Sequence, residues 1–232
     1  MPFISVIIPA LNEAENIVTT INAARRAYTA DQIEIIVVDG GSHDGTVDLI
    51  SPDIQVIQAP RGRAVQMNLG AEASKGELLV FCHADSQLPS SWREVVIDAL
   101  KDPGVSGGTF QTKILPATGF FIWRNTWVMP VNWKIMYGDQ VQFMRRTAYD
   151  QVGGFPDLPL MEDVEMSRAL NHIGKLVRID PSFRVITSSR RFMERGLIRQ
   201  SLQNAVNMIR YLYFGATPED IAKSYRSSRE KE

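Results

Sequence analysis

Short apolar runs alternate with segments of helical spacing along the first half of the chain. The apolar runs are rich in β-branched side chains and are bounded by turn residues, which predicts strands at residues 4–8, 33–38, 54–58 and 78–81. Helical spacing lies between them at residues 14–28 and 64–74, and residues 42–50 predict a turn followed by a shorter helix. This alternation predicts an α/β fold with a mostly parallel central sheet flanked by helices.

The second half of the chain is less regular. Its pattern predicts strands at residues 105–110, 141–145 and 176–179, and helices at residues 161–171, 196–214 and 218–226. The sequence contains no internal repeat and no low-complexity linker. We therefore expect a single domain across residues 1–232, ending in amphipathic helices.

Composition narrows the class of protein and its compartment. With 44% hydrophobic and 22% charged residues, a chain of 232 residues is globular and can bury a core. A single cysteine, Cys82, excludes a disulfide framework within the chain and fits a reducing compartment, so a cytoplasmic location is expected. We expect no signal peptide and no membrane-spanning helix, because polar residues interrupt even the apolar stretch 119–136.

The net charge of −1 argues against a nucleic-acid partner, although positive charge is concentrated late in the chain. Between residues 184 and 210 a single acid, Glu194, faces six arginines: Arg184, Arg190, Arg191, Arg195, Arg199 and Arg210. The last three accompany an apolar stripe of helical spacing. Such a stripe is typical of core packing, and also of a basic helix in peripheral contact with an anionic membrane.

Polar residues follow three of the predicted strands, at the point where each strand ends. They are Pro9, Asn12 and Glu13 after the first strand, Asp39, Gly40, Gly41 and Ser42 after the second, and His83, Asp85 and Ser86 after the fourth. The carboxyl ends of parallel strands meet at one edge of a sheet, where α/β proteins bind ligands. We therefore expect these residues to line one site.

Asp39 ends an apolar strand, where a carboxylate is costly to bury unless a partner is present. A ribose or the edge of a base would supply that partner, and Gly40 and Gly41 let a ligand approach the backbone. In the alternative interpretation Asp39 and Asp44 close a turn and cap the next helix. The motif alone leaves both interpretations open.

Further candidate groups are carboxylates, a histidine and an arginine. Asp85 offers the oxygen ligand that Mg²⁺ or Mn²⁺ prefers, and His83 is either a second ligand or a packed polar residue. Glu162 and Asp163 open a predicted helix, where they suit the helix dipole or present a general base to a cleft. Arg63 belongs either to a phosphate-binding loop or to a solvated one.

Together, these motifs resemble family 2 glycosyltransferases with the GT-A fold, which transfer a sugar from a nucleoside diphosphate. The resemblance rests on residues 6–13, on residues 37–46, on the turn His83-Ala84-Asp85 and on Glu162-Asp163, in the family's order. Within the family, residues 62–68, 83–86, 138–140 and 160–165 resemble a bacterial subgroup associated with radical-SAM/selenodomain proteins, some of them assigned to arsenosugar biosynthesis.

The resemblance implies that residues 1–100 form a nucleotide-binding half and residues 101–232 an acceptor half. It places Pro9, Asn12, Glu13, Asp39 and Gly41 at a UDP- or GDP-sugar, with Arg63, Asp85 and Asp139 beside them. Asp85 stands where the metal-binding Asp-x-Asp motif of the family ends, and His83 replaces its first acid. Asp163 matches the general base, with Glu162 as its neighbour.

The implied reaction is a direct displacement that inverts the anomeric carbon. Asp163 takes the proton of an acceptor hydroxyl, and a divalent metal offsets charge on the leaving diphosphate. Residues 188–192 match the Gln-x-x-Arg-Trp signature of processive members only weakly, so we expect single transfer. Trp123, Trp127 and Trp133 are candidates for stacking on a sugar or for core packing.

Three rival functions differ from this interpretation in testable ways. A sugar-phosphate nucleotidylyltransferase has a glycine-rich basic loop after its first strand, whereas residues 9–13 here are acidic and lack glycine. A dehydrogenase has Gly-x-Gly-x-x-Gly at the same place, which is missing. A non-catalytic nucleotide-sugar-binding subunit would keep the pocket, and the sequence leaves that alternative open.

Overall fold

The computed structural model describes residues 2–26, 28–115, 135–188 and 197–225, together with all but seven of their side chains, those of residues 197–201 and 224–225. The predicted roles of Trp123, Trp127, Trp133 and Arg190, Arg191 and Arg195 lie outside the described residues, as does that of the Arg199 side chain.

A seven-stranded sheet forms the centre of the described structure, in the order β3-β2-β1-β4-β8-β6-β9. Its strands are β1 Ile4–Ala10, β2 Ile33–Asp39, β3 Gln55–Gln58, β4 Leu78–Phe81, β6 Val105–Thr109, β8 Gln142–Arg145 and β9 Lys175–Arg178. Only β8 of these seven runs against the others, because it pairs antiparallel with both β4 and β6. The expected mostly parallel sheet is therefore confirmed.

Seven α-helices lie in the described part of the chain. They are α1 Ile17–Arg25, α2 Arg63–Ala73, α3 Trp92–Ala99, α4 Arg146–Val152, α5 Glu162–Ile173, α6 Leu197–Tyr213 and α7 Pro218–Tyr225. Short 3₁₀ turns occupy Val47–Leu49 and Gly138–Gln140. A second sheet of three strands, in the order β5-β10-β7, contains β5 Ser86–Gln87, β7 Thr112–Leu115 and β10 Val185–Ser188.

Apolar side chains cover both faces of the central sheet. In β1, Ile4, Val6 and Ile8 belong to one buried cluster, whereas Ile7 belongs to the cluster on the other face. This alternation is the two-residue period of a strand, and burial on both faces explains why the run reads as continuously apolar. Helix α2 packs closely against the second face, since a Cβ at Gly70 would lie 2.5 Å from Ile7 Cγ2.

The C-terminal helices have one buried face and one exposed face. Met208, Tyr211 and Leu212 of α6 pack against the small apolar cluster that contains Met161 and Val164 of the α5 region. The exposed face of α6 carries Leu202, Val206, Ile209 and Tyr213. None of the described helices is both long enough and apolar enough to cross a membrane.

The predicted strands and helices of the first half are confirmed, with ends that differ by a few residues. Helices α3 and α4 and the strands of the small sheet were missed. Helix α3 follows Ser91 and contains Glu94, the spacing of a capping box, so a signal was present. Helix α4 has no acid in its first turn and no side-chain cap, so nothing local marks its start.

Candidate functional site at the carboxyl edge of the sheet

Strand order reverses between β1 and β4, because β2 and β3 lie on one side of β1 and β4 lies on the other. This is the position at which open α/β sheets form a crevice beyond the carboxyl ends of their strands. The residues that follow β1, β2 and β4 were expected to line one site, and the topology brings all three loops to this crevice.

The loops after β1 and β2 are held together by reciprocal hydrogen bonds. The backbone N–H of Asn12 donates to Ser42 Oγ at 2.9 Å, and the N–H of His43 donates to Asn12 Oδ1 at 2.9 Å. The N–H of Glu13 donates to Thr46 Oγ1 at 2.8 Å. Asn12 and Glu13 are therefore fixed in place by the second loop before any ligand is present.

Asp39 is buried and shapes its own loop. Its Oδ2 accepts the N–H groups of Gly41 and Ser42 at 3.1 and 3.0 Å, and its Oδ1 accepts the Ser42 hydroxyl at 2.5 Å. An ionised carboxylate offers about four acceptor sites, so about one stays open to a ligand. Asp39 therefore closes a turn, as one part of the alternative interpretation has it, and also retains acceptor capacity for a ligand.

The expected helix cap after β2 is wrong. Thr46 precedes the 3₁₀ turn and no side chain caps it. Asp44 instead accepts the N–H groups of Ala14 and Thr46, each at 3.0 Å, and so joins the two loops. Gly41 has a φ of 90°, and no atom lies within 4 Å of the position of a Cβ there, so the backbone is open to a ligand.

Gln66 of α2 supports the ends of β1 and β2 and was not singled out as a site residue from the sequence. Its Nε2 donates to the carbonyls of Ala10 and Val38 at 2.8 and 2.7 Å. A Cβ at Gly40 would lie 3.0 Å from the same nitrogen. The glycine after Asp39 therefore makes room for a buried amide that satisfies two strand-end carbonyls.

The turn from His83 to Ser86 places Asp85 at the end of β4. The hydroxyl of Thr20 in α1 donates to the Ala84 carbonyl at 2.7 Å, and the N–H of Ser86 donates to the His83 carbonyl at 3.0 Å. Asp85 is partly buried, and its carboxylate receives a long hydrogen bond of 3.4 Å from Ser86 Oγ. Its oxygens thus keep most of their capacity for a cation.

A buried ion pair joins the two halves of the crevice. Arg63, the first residue of α2, donates from Nη1 to Glu162 Oε1 at 2.9 Å, although the two residues are 99 positions apart. The Glu162 side chain is 1% exposed and that of Arg63 is 30% exposed. Breaking such a pair leaves a buried charge without compensation, which costs about 3–5 kcal/mol in other proteins.

Asp163 lies beside Glu162 and is held by two backbone donors. Its Oδ2 accepts the N–H of Gly138 at 2.7 Å, and its Oδ1 accepts the N–H of the next residue, Val164, at 2.8 Å. A Cβ at Gly138 would lie 2.6 Å from His83 Nε2 and 3.5 Å from Asp163 Oδ2. The histidine ring and the Asp163 carboxylate therefore meet at a place where only glycine fits.

Burial raises the pKa of Asp163 to about 7, and the neighbouring charge of Glu162 contributes in the same direction. The Gly138 N–H, the Arg63 guanidinium and the Val164 N–H oppose this shift because each favours the ionised carboxylate. Such a pKa allows a carboxylate to accept and release a proton near neutral pH.

Backbone strain is concentrated at the same crevice. Three non-glycine residues of the described chain have a positive φ: Asn12 at 54°, Val141 at 54° and Met161 at 71°. Asn12 lies in the loop after β1, Val141 follows the 3₁₀ turn that contains Asp139, and Met161 precedes Glu162. Unfavourable conformations of this kind persist where the surrounding structure enforces them, typically at functional sites.

The predicted residues thus fall into two groups around one crevice. Pro9 lies near the end of β1 and Asp39 ends β2, whereas Asn12, Glu13, Gly41 and Asp85 follow β1, β2 and β4. Asp139, Glu162 and Asp163 lie on the side of β8. Arg63 connects the groups. Gly138 and Ser167 had no role assigned from the sequence, yet Ser167 Oγ donates to the carbonyls of Met136 and Asp163. A glycine directly before the polar pair Asp139-Gln140 was the available signal.

The family can now be stated from comparison with known proteins. Residues 5–156 match the family model described as glycosyl transferase family 2. The chain is 34% identical over 114 residues to the glycosyltransferase AglE of Haloferax volcanii, covering 45% of this chain and 38% of AglE. It is 25% identical over 209 residues to the probable glycosyltransferase YdaM of Bacillus subtilis, covering 78% of this chain and 50% of YdaM.

Solved structures show the same fold at low sequence identity. TarS 1–349 of S. aureus has a TM-score of 0.67 at 16% identity, over 83% of this chain and 62% of that one. The mannosyltransferase PcManGT of Pyrobaculum calidifontis, in complex with GDP-Man and Mn²⁺, has a TM-score of 0.62 at 23% identity, over 81% of this chain and 56% of that one.

The expected GT-A fold is confirmed by these structures together with the mostly parallel sheet. The chain spans half or less of the length of AglE and YdaM. Since the family match covers more than half of the 232 residues, the chain belongs to glycosyl transferase family 2.

Proposed function

We propose that this protein is a metal-dependent, inverting glycosyltransferase that makes a single transfer from a UDP- or GDP-sugar to a hydroxyl acceptor. The observation that carries the proposal is the Asp163 carboxylate, whose pKa burial raises to about 7 at the edge of the crevice. A sensor of nucleotide sugars would need the loops after β1 and β2 but would not need a proton acceptor opposite them.

The proposed donor site lies on the side of β1, β2 and β4. The nucleoside contacts Pro9, Asn12, Glu13, Asp39 and Gly41, where the fixed loops leave an open backbone and about one acceptor site on Asp39. PcManGT binds GDP-Man and TarS binds UDP-GlcNAc, and both proteins have the same fold as this chain. These complexes support either a GDP-sugar or a UDP-sugar as the donor.

Asp85 fits a divalent metal, because a carboxylate at the end of β4 with spare acceptor capacity suits Mg²⁺ or Mn²⁺. No group of three or more metal-ligating side chains occurs among the described residues, so the donor diphosphate and water must supply most of the coordination. His83 is the proposed second ligand, and its ring lies against Gly138. A bound metal would offset negative charge on the leaving diphosphate.

In the proposed mechanism Asp163 takes the proton of the acceptor hydroxyl while that oxygen attacks the anomeric carbon on the face opposite the diphosphate. The Gly138 and Val164 N–H groups fix the orientation of the carboxylate. Glu162 raises the proton affinity of Asp163, and Arg63 pairs with Glu162 and opposes that shift. Asp139, in the turn that carries Gly138, positions the sugar or the acceptor.

Several finer assignments belong to the same proposal. We propose one GT-A domain across residues 1–232, with a nucleotide-binding half before residue 100 and an acceptor half after it. The proposed cytoplasmic location rests on the single cysteine of the chain. Membership of the subgroup associated with radical-SAM/selenodomain proteins rests on the sequence motifs. Single transfer rests on residues 188–192, most of which lie outside the described residues.

We also propose peripheral contact with an anionic membrane through the exposed face of α6. Leu202, Val206, Ile209 and Tyr213 recur at intervals of 4, 3 and 4 residues and are 62%, 44%, 49% and 76% exposed. The exposed Arg210 adds positive charge, and no acid occurs in the helix. An apolar stripe with basic neighbours is typical of helices that lie in a membrane interface.

Replacing Asp163 with asparagine is expected to lower the rate of sugar transfer by about 10²–10⁴-fold, because the proton acceptor is lost. Thermal-shift screening of nucleotide sugars with Mn²⁺ first identifies the donor, and release of its nucleoside diphosphate then measures the rate. The affinity for the donor should stay within about threefold of the wild-type value, because a proton acceptor acts in the transition state and not in donor binding. Asp150→Asn, the same change at an exposed position, is the control. Equal rates for the Asp163 variant and the wild type would remove Asp163 as the base.

The raised pKa of Asp163 predicts a pH-dependent stability difference between Asp163→Asn and the wild type. Between about pH 4 and pH 7 the unfolded aspartate loses its proton while the folded one keeps it, so wild-type stability falls as the pH rises. On going from low pH to about pH 8, the variant should gain about 1–3 kcal/mol of unfolding free energy relative to the wild type. Solvent screening limits the size of this gain. Chemical denaturation at about pH 4.5 and about pH 8 measures the difference in unfolding free energy between the variant and the wild type. A difference that is the same at both values would contradict the raised pKa.

Replacing Asp85 with alanine is expected to weaken metal-dependent nucleotide binding at least about tenfold, since the proposed carboxylate ligand is lost. Calorimetric titration of UDP and GDP with and without Mn²⁺ measures the effect. The exposed Asp48→Ala variant controls for loss of a surface charge. Unchanged binding by the Asp85 variant would refute the metal role.

The α6 proposal predicts that the protein co-sediments with vesicles rich in phosphatidylglycerol and that Val206→Glu reduces binding about tenfold. The reason is that a charged side chain in the apolar stripe is costly to bury in the membrane interface, so the stripe can no longer insert there. Val18→Glu on α1 is the matched control, because Val18 is 41% exposed and Val206 is 44% exposed. Equal binding by both variants would show that α6 does not contact the membrane.

A further inference from the structure

Arg178 ends β9 at the same edge of the sheet as the proposed active site. Strand β9 pairs parallel with β6, in a register that sets Arg178 beside Thr109. Strand β6 runs in the same direction as β4, since both pair antiparallel with β8. The carboxyl end of β9 therefore lies on the edge that carries Asp85 at the end of β4.

The side chain of Arg178 lies on the sheet face that α5 covers. Leu176 belongs to the apolar cluster that contains Met166 and Leu170 of α5, whereas Val177 packs in the cluster on the other face. Since side chains alternate along a strand, Arg178 shares the face of Leu176. Helix α5 begins on this face with Glu162 and Asp163.

The charge of Arg178 acts on the segment that holds Asp163. Burial raises the pKa of Tyr137, and the negative charges of Asp163 and Asp139 add to the shift, while Arg178 opposes it. Tyr137 directly precedes Gly138, whose N–H binds Asp163.

The guanidinium of Arg178 has no hydrogen-bond acceptor in the described structure. Its Nε and Nη2 are shielded from solvent, and neither has a partner. Most buried polar groups of proteins are hydrogen-bonded, and a shielded, unpaired cation is costly. The residue as a whole is only partly buried, so the guanidinium does not lie in the sealed core.

A neighbouring arginine shows what a structural role looks like in this fold. Arg145 ends β8 at the opposite edge of the sheet, because β8 runs against the other strands. Its Nε donates to the Val105 carbonyl at 3.2 Å, and its Nη2 donates to the carbonyls of Leu100 and Asp102. Arg145 holds the chain together through these bonds, whereas Arg178 holds nothing that the structure describes.

The position of Arg178 separates it from the donor side. Gln142 in β8 donates to the Asp163 carbonyl at 3.3 Å, which places Asp163 above β8. In the sheet order, β4 with Asp85 lies on one side of β8, and β9 lies two strands away on the other. With strands about 4.8 Å apart, β9 is roughly 14 Å from β4, beyond Asp163.

We propose that Arg178 binds an anionic group, a phosphate or a carboxylate, carried by the acceptor. The inference rests on the proposed function, in which Asp163 activates the acceptor hydroxyl between the donor and β9. A guanidinium binds either group through two parallel N–H donors, so it fixes the orientation of the molecule as well as its affinity. The acceptor is then an acidic molecule whose reactive hydroxyl lies near its anionic group.

The test is a pair of methionine variants, Arg178→Met and Arg145→Met, compared by melting temperature. Removing an unpaired guanidinium is expected to leave the melting temperature unchanged or higher. Removing the bonded guanidinium of Arg145 leaves its acceptor carbonyls unsatisfied and is expected to lower it. A loss for Arg178→Met as large as that for Arg145→Met would overturn the proposal, since Arg178 would then be structural.

Anion binding is measured with inorganic phosphate and with acetate, against sodium chloride at equal ionic strength. Saturating UDP or GDP with Mn²⁺ is present in every sample, so that the donor site is already filled. Phosphate or acetate should raise the melting temperature of the wild type and of Arg145→Met, with at least about tenfold weaker apparent affinity for Arg178→Met. The anion that stabilises the wild type more identifies the group. An anion effect that survives in Arg178→Met overturns the proposal.

The nucleotide arm keeps this inference separate from the proposed function. If Arg178→Met weakens the binding of UDP or GDP itself, the residue belongs to the donor site and the acceptor assignment is wrong. If neither nucleotide stabilises the wild type, the proposed function fails. In that case the phosphate and acetate titrations of the two variants, made without nucleotide, still decide whether Arg178 is an anion site.

Discussion

The ion pair between Arg63 and Glu162 is the contact on which the crevice depends. It joins the first residue of α2 to the first residue of α5, and these helices belong to different halves of the chain. Glu162 is almost completely buried, and burying a carboxylate without the partner cation would be costly. The pair thereby fixes where α5 begins, and it places a second carboxylate, Asp163, at the same height above the sheet.

The two adjacent carboxylates have different surroundings, which separates their chemistry. Glu162 has a cation as its partner, whereas Asp163 has two backbone N–H groups and the negative charge of Glu162 beside it. Burial and that charge keep the pKa of Asp163 high. Differences of this kind between neighbouring titratable groups are how a site assigns one group to structure and another to proton transfer.

Satisfied and unsatisfied polar groups divide the site in the same way. On the side of β1 and β2, where the donor site is proposed, the side chains of Asp39, Ser42, Asn12 and Gln66 bond to neighbouring loops, so these loops are fixed before a ligand arrives. Asp85 and Arg178 keep unused hydrogen-bonding capacity within the described structure. The strained backbone of Asn12, Val141 and Met161 lies in the segments that hold these groups. Loops that are already fixed in place hold such side chains in a defined geometry, as precise ligand binding requires.

The alternation of strands and helices up to β4, and the grouping of the polar loops there, could be predicted from the sequence. Continuous β-branched runs such as residues 33–38 allow little else than a strand buried on both faces. Polar residues at strand ends then meet at one edge because parallel strands share a direction. The resemblance to the family suggested the roles now proposed for Asp85 and Asp163, which spacing alone left open.

Short elements and long-range partners were decided by the tertiary structure. Strands of two to four residues, such as Ser86–Gln87 and Val185–Ser188, acquire their state from the partner strand rather than from their own pattern.

What the sequence by itself determined is the local backbone and the chemistry available at each strand end, because apolar period and turn residues act over a few positions. Only the tertiary structure decided which groups face each other. The Arg63–Glu162 pair spans 99 residues, and Gly138 became essential because a histidine ring and a carboxylate meet above it. Whether a buried charge is compensated, as for Glu162, or left unpaired in the described structure, as for Arg178, depends on distances that no local pattern encodes.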